Sequence, residues 1–322
     1  MFALRSPLYI DGMAEKLQSF VRAIEVWRPD GDLLQRDSGA YGQLKAFEHA
    51  SVELVLKKGQ GLPGAAWDTK RPEVWHELGG GFLRTDPARV GGIGAAVAIP
   101  FFHGSELVSV VAFYCGSREQ SEGCIEVWES NGKGELEHAD GYYGKLKRFE
   151  EVSRECRFSR GQGLPGLVFQ HGLPQIIDDL KNSNSFLRAA AARESGVASG
   201  LGFPIYSGDT IAHVVLLLSA DATPLARAFE IWLPDEEGRM HRGQAFYAPG
   251  LDGFAEVRRE LTFGPGEDLV GRVLERSLPF AVSTETRAYA HFELAREAGI
   301  DLALAFPIDD GRGMRAVVVM FS

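Results

Sequence analysis

The hexapeptide GQGLPG fills residues 59–64 and returns unchanged at 161–166. Each copy satisfies G-x-G-x-x-G, the spacing of a dinucleotide-binding turn, in which a parallel strand feeds a phosphate-binding loop and a helix. Acidic residues follow, Glu77 after the first copy and Asp178 and Asp179 after the second, where such a site needs a carboxylate for the ribose. The flanking residues weigh more heavily against it. A parallel strand buried on both faces reads as a continuous apolar run, whereas Val52, Leu54 and Leu56, and then Cys156 and Phe158, alternate. After the second copy only about ten residues separate the helix start from PQIIDDL, marginal for a crossover to a parallel neighbour. The third version, GPGEDLVG at 264–271, reads as two residues longer and sets Glu267 and Asp268 at the helix start, where they would repel a pyrophosphate. No G-K-[ST] follows any copy, which excludes a P-loop. The competing reading is a tight turn. Its glycines supply backbone freedom, Pro63 or Pro165 sits in the first helical turn, and the last glycine lets the helix approach closely.

The hexapeptide is one landmark of a longer repeat. IEVW stands at 24–27 and 125–128, and FEIW at 229–232, so that Trp27, Trp128 and Trp232 are 101 and 104 residues apart. AYGQLKAFE, YYGKLKRFE and FYAPGLDGF follow in step. Then come the glycine turns and a Phe-Arg-Gly region: Phe82, Arg89 and Gly92; Phe186, Arg193 and Gly196; Phe292, Arg296 and Gly299. Pro100, Pro204 and Pro307 align, and each repeat closes on an apolar strand. A period of about 100 residues suits a small domain and is too long for a solenoid unit. The expectation is three tandem domains, 1–118, 119–222 and 223–322, joined by short polar linkers.

The chain has 322 residues, 45% hydrophobic and 24% charged, with a net charge of -10. That balance fits a soluble protein and argues against a nucleic-acid surface, which needs clustered Lys and Arg. Three cysteines, Cys115, Cys124 and Cys156, with no C-x-x-C, imply neither a disulfide framework nor a zinc site. The N-terminus lacks the form of a secretory signal, and no apolar run approaches the roughly 18 residues of a membrane span. A cytoplasmic protein without membrane or nucleic-acid partners is expected. Met13, Leu17, Phe20 and Val21 suggest an N-terminal helix.

Within the third repeat, AFEIWLP and GQAFYAP read as strands, EDLVGRVLERSLP as a helix closed by Pro279, and FAVST as a strand. RAYAHFELAREAGI reads as a second helix ended by Gly299, and LALAFPID and MRAVVVMFS as a hairpin. Residues 316–321 are apolar throughout, so both faces of that strand must be covered, by helices or by a neighbouring domain. The fold class is α+β, a mostly antiparallel sheet with helices on its faces.

RGQGLPGLVFQHGLPQIIDDL, the following FLRAAAARESGVASGLGFPIY and its closing apolar strand resemble the GAF domain family; the third copy is about as close and the first more divergent. The resemblance implies a profilin-like sheet of about six strands in each repeat, with a cavity between sheet and helices. Family members bind cyclic nucleotides, bilins, haem, nitrate, oxo acids or nothing, and regulate a partner. No Cys-His pair supports bilin attachment, and DLKNSNSF reverses the Asn-Lys order of cyclic-nucleotide members. If the cavities are open, the residues placed to line them are Asp178, Phe186, Arg188, Arg193, Ser283, Phe292 and Arg296. The recurring arginines are the groups suited to an anionic ligand, although an arginine at a helix end also serves to bond the last carbonyls.

The histidines are scattered without metal-ligand spacing, no G-x-S-x-G elbow occurs, and the recurring tryptophans suit core packing. Neither a catalytic residue nor a metal site is assigned, and the cofactor stays unknown. The expected function is sensory or regulatory: a small molecule of unknown identity binds in a cavity, and a separate output protein reads the change. A homodimer is compatible with this. The alternatives are a structural or oligomerisation module with filled cavities and an enzyme, either nucleotide-dependent or of the free methionine sulfoxide reductase kind, working through cysteines.

Overall fold

The structure is a computed structural model that describes residues 19–286 and 289–322. The first part of the chain forms β1 (Val21–Asp30), β2 (Leu33–Ala40), α1 (Lys45–Val52), β3 (Val55–Lys57), α2 (Gly61–Thr69), β4 (Glu73–Trp75), α3 (Thr85–Val90), β5 (Ile93–His103) and β6 (Glu106–Gly116). The second repeats the order with β7 (Glu122–Ser130), β8 (Glu135–Gly144), α4 (Lys147–Glu155), β9 (Arg157–Ser159), α5 (Gly163–His171), β10 (Gln175–Ile177), α6 (Ala189–Ser195), β11 (Val197–Ser207) and β12 (Thr210–Ala220). The third consists of β13 (Ala228–Pro234), β14 (Met240–Tyr247), α7 (Asp252–Arg259), β15 (Thr262–Phe263), α8 (Asp268–Arg276), β16 (Phe280–Ser283), α9 (Phe292–Glu297), β17 (Leu302–Asp309) and β18 (Met314–Phe321). In each part the strands lie in the same antiparallel order: β3-β2-β1-β6-β5-β4, β9-β8-β7-β12-β11-β10 and β15-β14-β13-β18-β17-β16. The architecture is α+β, as the residue pattern indicated.

The apolar closing strands explain the layering. Side chains alternate across a strand, and here the alternation divides each strand between two different cores. Val317, Val319 and Phe321 of β18 face the helices of the third array, while Ala316, Val318 and Met320 face the other way. β12 and β6 split in the same manner: Val214, Leu216 and Leu218 against Val215 and Leu217, and Val110, Ala112 and Tyr114 against Val111, Phe113 and Cys115. Each array therefore has a private core under its helices. The second faces of all three arrays share one central core that includes Ile24, Phe113, Leu201, Leu217, Phe306 and Val318.

The arrays are arranged head to tail. The edge strand of one meets the second strand of the next: β4 against β8, β10 against β14, and β16 against β2. The same relation closes on itself after three steps, as in a cyclic trimer, but within one chain. At the third seam a parallel bridge between Val282 and Gly39 merges the first and third arrays into a 12-stranded sheet. Equivalent groups fasten two seams: Ala281 N–H donates to Ser38 Oγ (3.1 Å) and Ile176 N–H to Gln244 Oε1 (2.9 Å). At the remaining seam Asp140, which occupies the same position as Ser38 and Gln244, meets His76 Nε2 at 3.0 Å.

Three sequence expectations change. Val21 opens β1 instead of closing an N-terminal helix, because it pairs with Cys115 and buries its side chain in the central core; Met13 and Leu17 lie outside the described residues. Of the helix expected across 287–300, residues 287 and 288 lie outside the described residues, and over 289–300 the helix is shorter, with α9 at Phe292–Glu297. Tyr289, not Phe292, takes the place of Phe82 and Phe186. It is the aromatic two residues before the helix N-cap, where it is buried against Phe321.

Candidate functional site

The glycine turn is spent on its own helix. Gly59 and Gly61 have φ of 78° and 61°, and Gly161 and Gly163 have 79° and 64°, a left-handed region that side chains disfavour. The first amide of the turn, the one a phosphate would need, donates to the carbonyl of the last glycine at 2.8 Å: Gly59 to Gly64, Gly161 to Gly166 and Gly266 to Gly271. The third copy thus keeps the six-residue spacing as GEDLVG, and the two-residue insertion expected from GPGEDLVG is corrected. Asp268 takes the middle glycine's place with φ of 59°. The preceding short strands β3, β9 and β15 all pair antiparallel, unlike the strand of a dinucleotide fold. A Cβ on Gly166 would collide with the Ser159 carbonyl. Gly166→Ala should therefore cost about 1–3 kcal/mol by overpacking. Gly253→Ala, in a helix with open space around it, should be neutral or stabilise by up to about 1 kcal/mol. Chemical denaturation of both variants checks the contrast in sign.

Above each turn, the space between sheet and helices is occupied by a buried ion pair. Glu25, Glu126 and Glu230 stand in mid-strand and are fully buried, two residues before Trp27, Trp128 and Trp232 and hence on the same face. Each tryptophan Nε1 donates to its glutamate, at 3.1, 3.1 and 2.8 Å. Arg188 grips Glu126 with two bonds of 2.5 and 2.9 Å and also donates to Ser153 Oγ. Its guanidinium carbon lies 4.9 Å from the Phe149 ring centre and 5.0 Å from that of Phe186. Arg84 holds Glu25 in the same way at 2.5 and 3.1 Å, helped by hydroxyl donation from Tyr114 (2.6 Å) and Tyr41 (2.9 Å). In the third array the arginine comes from elsewhere. Arg258 on α7 reaches Glu230 at 2.6 and 2.9 Å, from the position that Ser51 and Ser153 hold on α1 and α4.

Burial alone would raise the pKa of these glutamates. The adjacent arginine charge and hydrogen bonds outweigh it and hold all three below the usual carboxylate value. A depressed folded pKa contributes stability that is complete above the unfolded value, about 4.3, and is lost as pH falls through the folded one. The melting temperature should accordingly fall as pH drops below about 4. Glu126→Gln should start lower and lose less over that range, as read by calorimetry in a pH series.

The sequence-predicted residues divide. Phe186 and Arg188 come together, both buried, but the charge of Arg188 is neutralised by Glu126. Asp178, Arg193 and Arg296 are exposed. Arg193 donates to the Lys181 carbonyl in the turn after β10 and not to the last carbonyls of its own helix. Ser283 lies at a seam, where its Oγ accepts from Tyr41 N–H at 3.0 Å, and Phe292 is half-buried beside the third private core. Glu25, Glu126, Glu230, Arg84 and Arg258 were not singled out from sequence. The available signal was a glutamate recurring two residues before each of the repeat tryptophans Trp27, Trp128 and Trp232, between apolar neighbours.

Cys115 and Cys124 are fully buried, and burial pushes both thiols well up; the half-buried Cys156 thiol is raised too. Among the described residues no group of three or more His, Cys, Asp or Glu could hold a metal, and no helix is long and apolar enough to cross a membrane.

No family model and no curated protein matches the chain. Among solved structures, similarity is found to the nlh2 GAF domain of A. aeolicus in an inactive state, at 21% identity and a TM-score of 0.25, over 30% of this chain and 57% of that one. The free methionine-R-sulfoxide reductase of Neisseria meningitidis matches at 16% identity and a TM-score of 0.24, over 30% and 51%. A GAF domain/HD domain protein of Geobacter sulfurreducens matches at 15% and 0.27, over 31% and 65%. This chain thus spans between half and two thirds of the length of each of these structures.

Proposed function

We propose that the chain is a non-catalytic regulatory module of three tandem GAF-like domains, 1–118, 119–222 and 223–322, that acts in the cytoplasm on a separate output protein. The observation that carries this reading is the closed ring. Three strand arrays share one core, so a small molecule that shifts one seam repacks the other two, and a partner can read the change. The cysteine-based enzyme is the weaker reading, because thiols whose burial disfavours the thiolate are poor nucleophiles.

Hydrogen exchange of the full chain during a metabolite screen tests the proposal. The expected result is a ligand that changes protection along β4, β10 and β16 together. Turnover of free methionine-R-sulfoxide that is lost on Cys→Ser replacement would overturn it. A scaffold role has its own support in the filled private cores, and it predicts that no screened ligand alters the seams.

A further inference from the structure

Where the first array's β5–β6 hairpin meets the second and third arrays, a cleft of about 340 Å³ opens beside the central core. Its origin is a single departure from the repeat. Phe102, Tyr206 and Asp309 are equivalent, each standing just past the bulge in the penultimate strand of its array. Tyr206 fills its space and donates to the Gly172 carbonyl (2.8 Å), at the left-handed cap of α5. In the third array the corresponding cap is Ser277, also left-handed at φ of 51°, and the short Asp309 side chain leaves the space before it open.

The walls are apolar, formed by Phe101, Ile205 and Ile308 with Pro204 and Pro307. Asp309 is the carboxylate facing them. Its Oδ1 accepts from Gly311 N–H at 2.7 Å, and its Oδ2 is 3.6 Å from His103 Nδ1, too long for a hydrogen bond. The arginine at the rim, Arg276, is pinned by two bonds to Asp37, at 2.8 and 3.3 Å. The neighbouring Asp310 is paired with Arg315. Negative charge at the cleft is therefore met least at Asp309.

We propose that this junction is a binding site for a small organic amine with an apolar body, whose ammonium pairs with Asp309 while the body lies on the Pro–Ile walls. The volume suits such a ligand. The site lies between the arrays, outside the three private cores, and it touches all three at once. The proposal rests on the regulatory reading for its purpose, but not for its chemistry.

Calorimetric titration of the full chain with phenethylamine, 2-phenylethanol and 3-phenylpropionate tests it. Phenethylamine should bind, and the neutral and anionic analogues should bind at least about tenfold more weakly, since a hydrogen bond to a charged group carries that difference. Asp309→Asn should weaken phenethylamine about tenfold or more with an unchanged melting temperature. Asp309→Tyr, which restores the sister residue, should abolish binding. Equal binding of amine and alcohol, indifference to Asp309→Asn, or no amine binding at millimolar concentration would overturn the site. Amine binding that leaves hydrogen exchange at the seams unaltered would keep the site and defeat the regulatory reading. Seams that respond to another metabolite while amines fail would do the opposite.

Discussion

Arg188→Met should destabilise the chain by about 3–5 kcal/mol, the usual consequence of removing one partner of a buried ion pair. The substitution keeps most of the side-chain volume, so the loss falls on Glu126, left fully buried with the Trp128 Nε1 bond but without the guanidinium charge. Two further results follow from the same physics. Glu126→Leu combined with Arg188→Met should recover most of the loss, because a matched apolar pair carries no desolvation cost. The pH dependence of the single variant should also reverse. Without the arginine charge, burial raises the Glu126 pKa above its unfolded value, so the protonated form is favoured in the folded state. That contribution is present below the unfolded pKa and fades as pH rises through the folded one, and Arg188→Met should be partly rescued near pH 4. Urea unfolding at pH 4 and 7 reads all three outcomes. A loss under about 1 kcal/mol, or a double variant no better than the single, would mean that the pair is solvated and that the private core is open to ligand after all.

Much of this was legible in the chain because repetition supplies its own comparison. The recurring tryptophans fixed the period, and unbroken apolarity at 316–321 correctly required cover on both faces of β18. What covers the second face was not legible, because a strand that packs on a helix and one that packs on a neighbouring sheet carry the same Val and Leu. The ring rests on isolated groups instead, such as the Ser38 hydroxyl under Ala281 N–H and one parallel bridge at Gly39. No periodicity encodes these. The cavity-lining residues were harder for a different reason. Arg188 and Arg193 lie five residues apart in one short segment, yet one is buried on Glu126 and the other is exposed: Arg188 is the N-cap of the seven-residue α6 and Arg193 lies in its last turn. The partner glutamate is 62 residues away in sequence.

The third array offers the sharper test, because three of its departures have one explanation. Arg84 and Arg188 are the N-cap residues of α3 and α6; the N-cap of α9 is His291, which is exposed and cannot serve. The arginine stands instead at 258, where the other arrays carry serine, and Asp268 replaces the turn glycine 3.6 Å from Arg258 Nη1. Asp268 tolerates the left-handed backbone because a short polar side chain can bond locally, here accepting from Leu269 N–H at 2.6 Å, and its other oxygen accepts from the distant Ala290 N–H at 2.9 Å. If the arrays share one electrostatic requirement, the arginine can be moved back. Arg258→Ser alone should cost about 3–5 kcal/mol. Adding His291→Arg should restore part of it and not all, since position 291 has φ of 60° where Arg84 and Arg188 have -124° and -101°, so the side chain leaves the backbone in a different direction. His291→Arg in the presence of Arg258 should be near neutral, because the second guanidinium can stay in solvent. Denaturant midpoints of the three variants distinguish this from a fold in which the third core is independent of its neighbours' plan. In that case the double variant would be no more stable than Arg258→Ser, and the arginine at 258 would be an unrelated solution to burying Glu230.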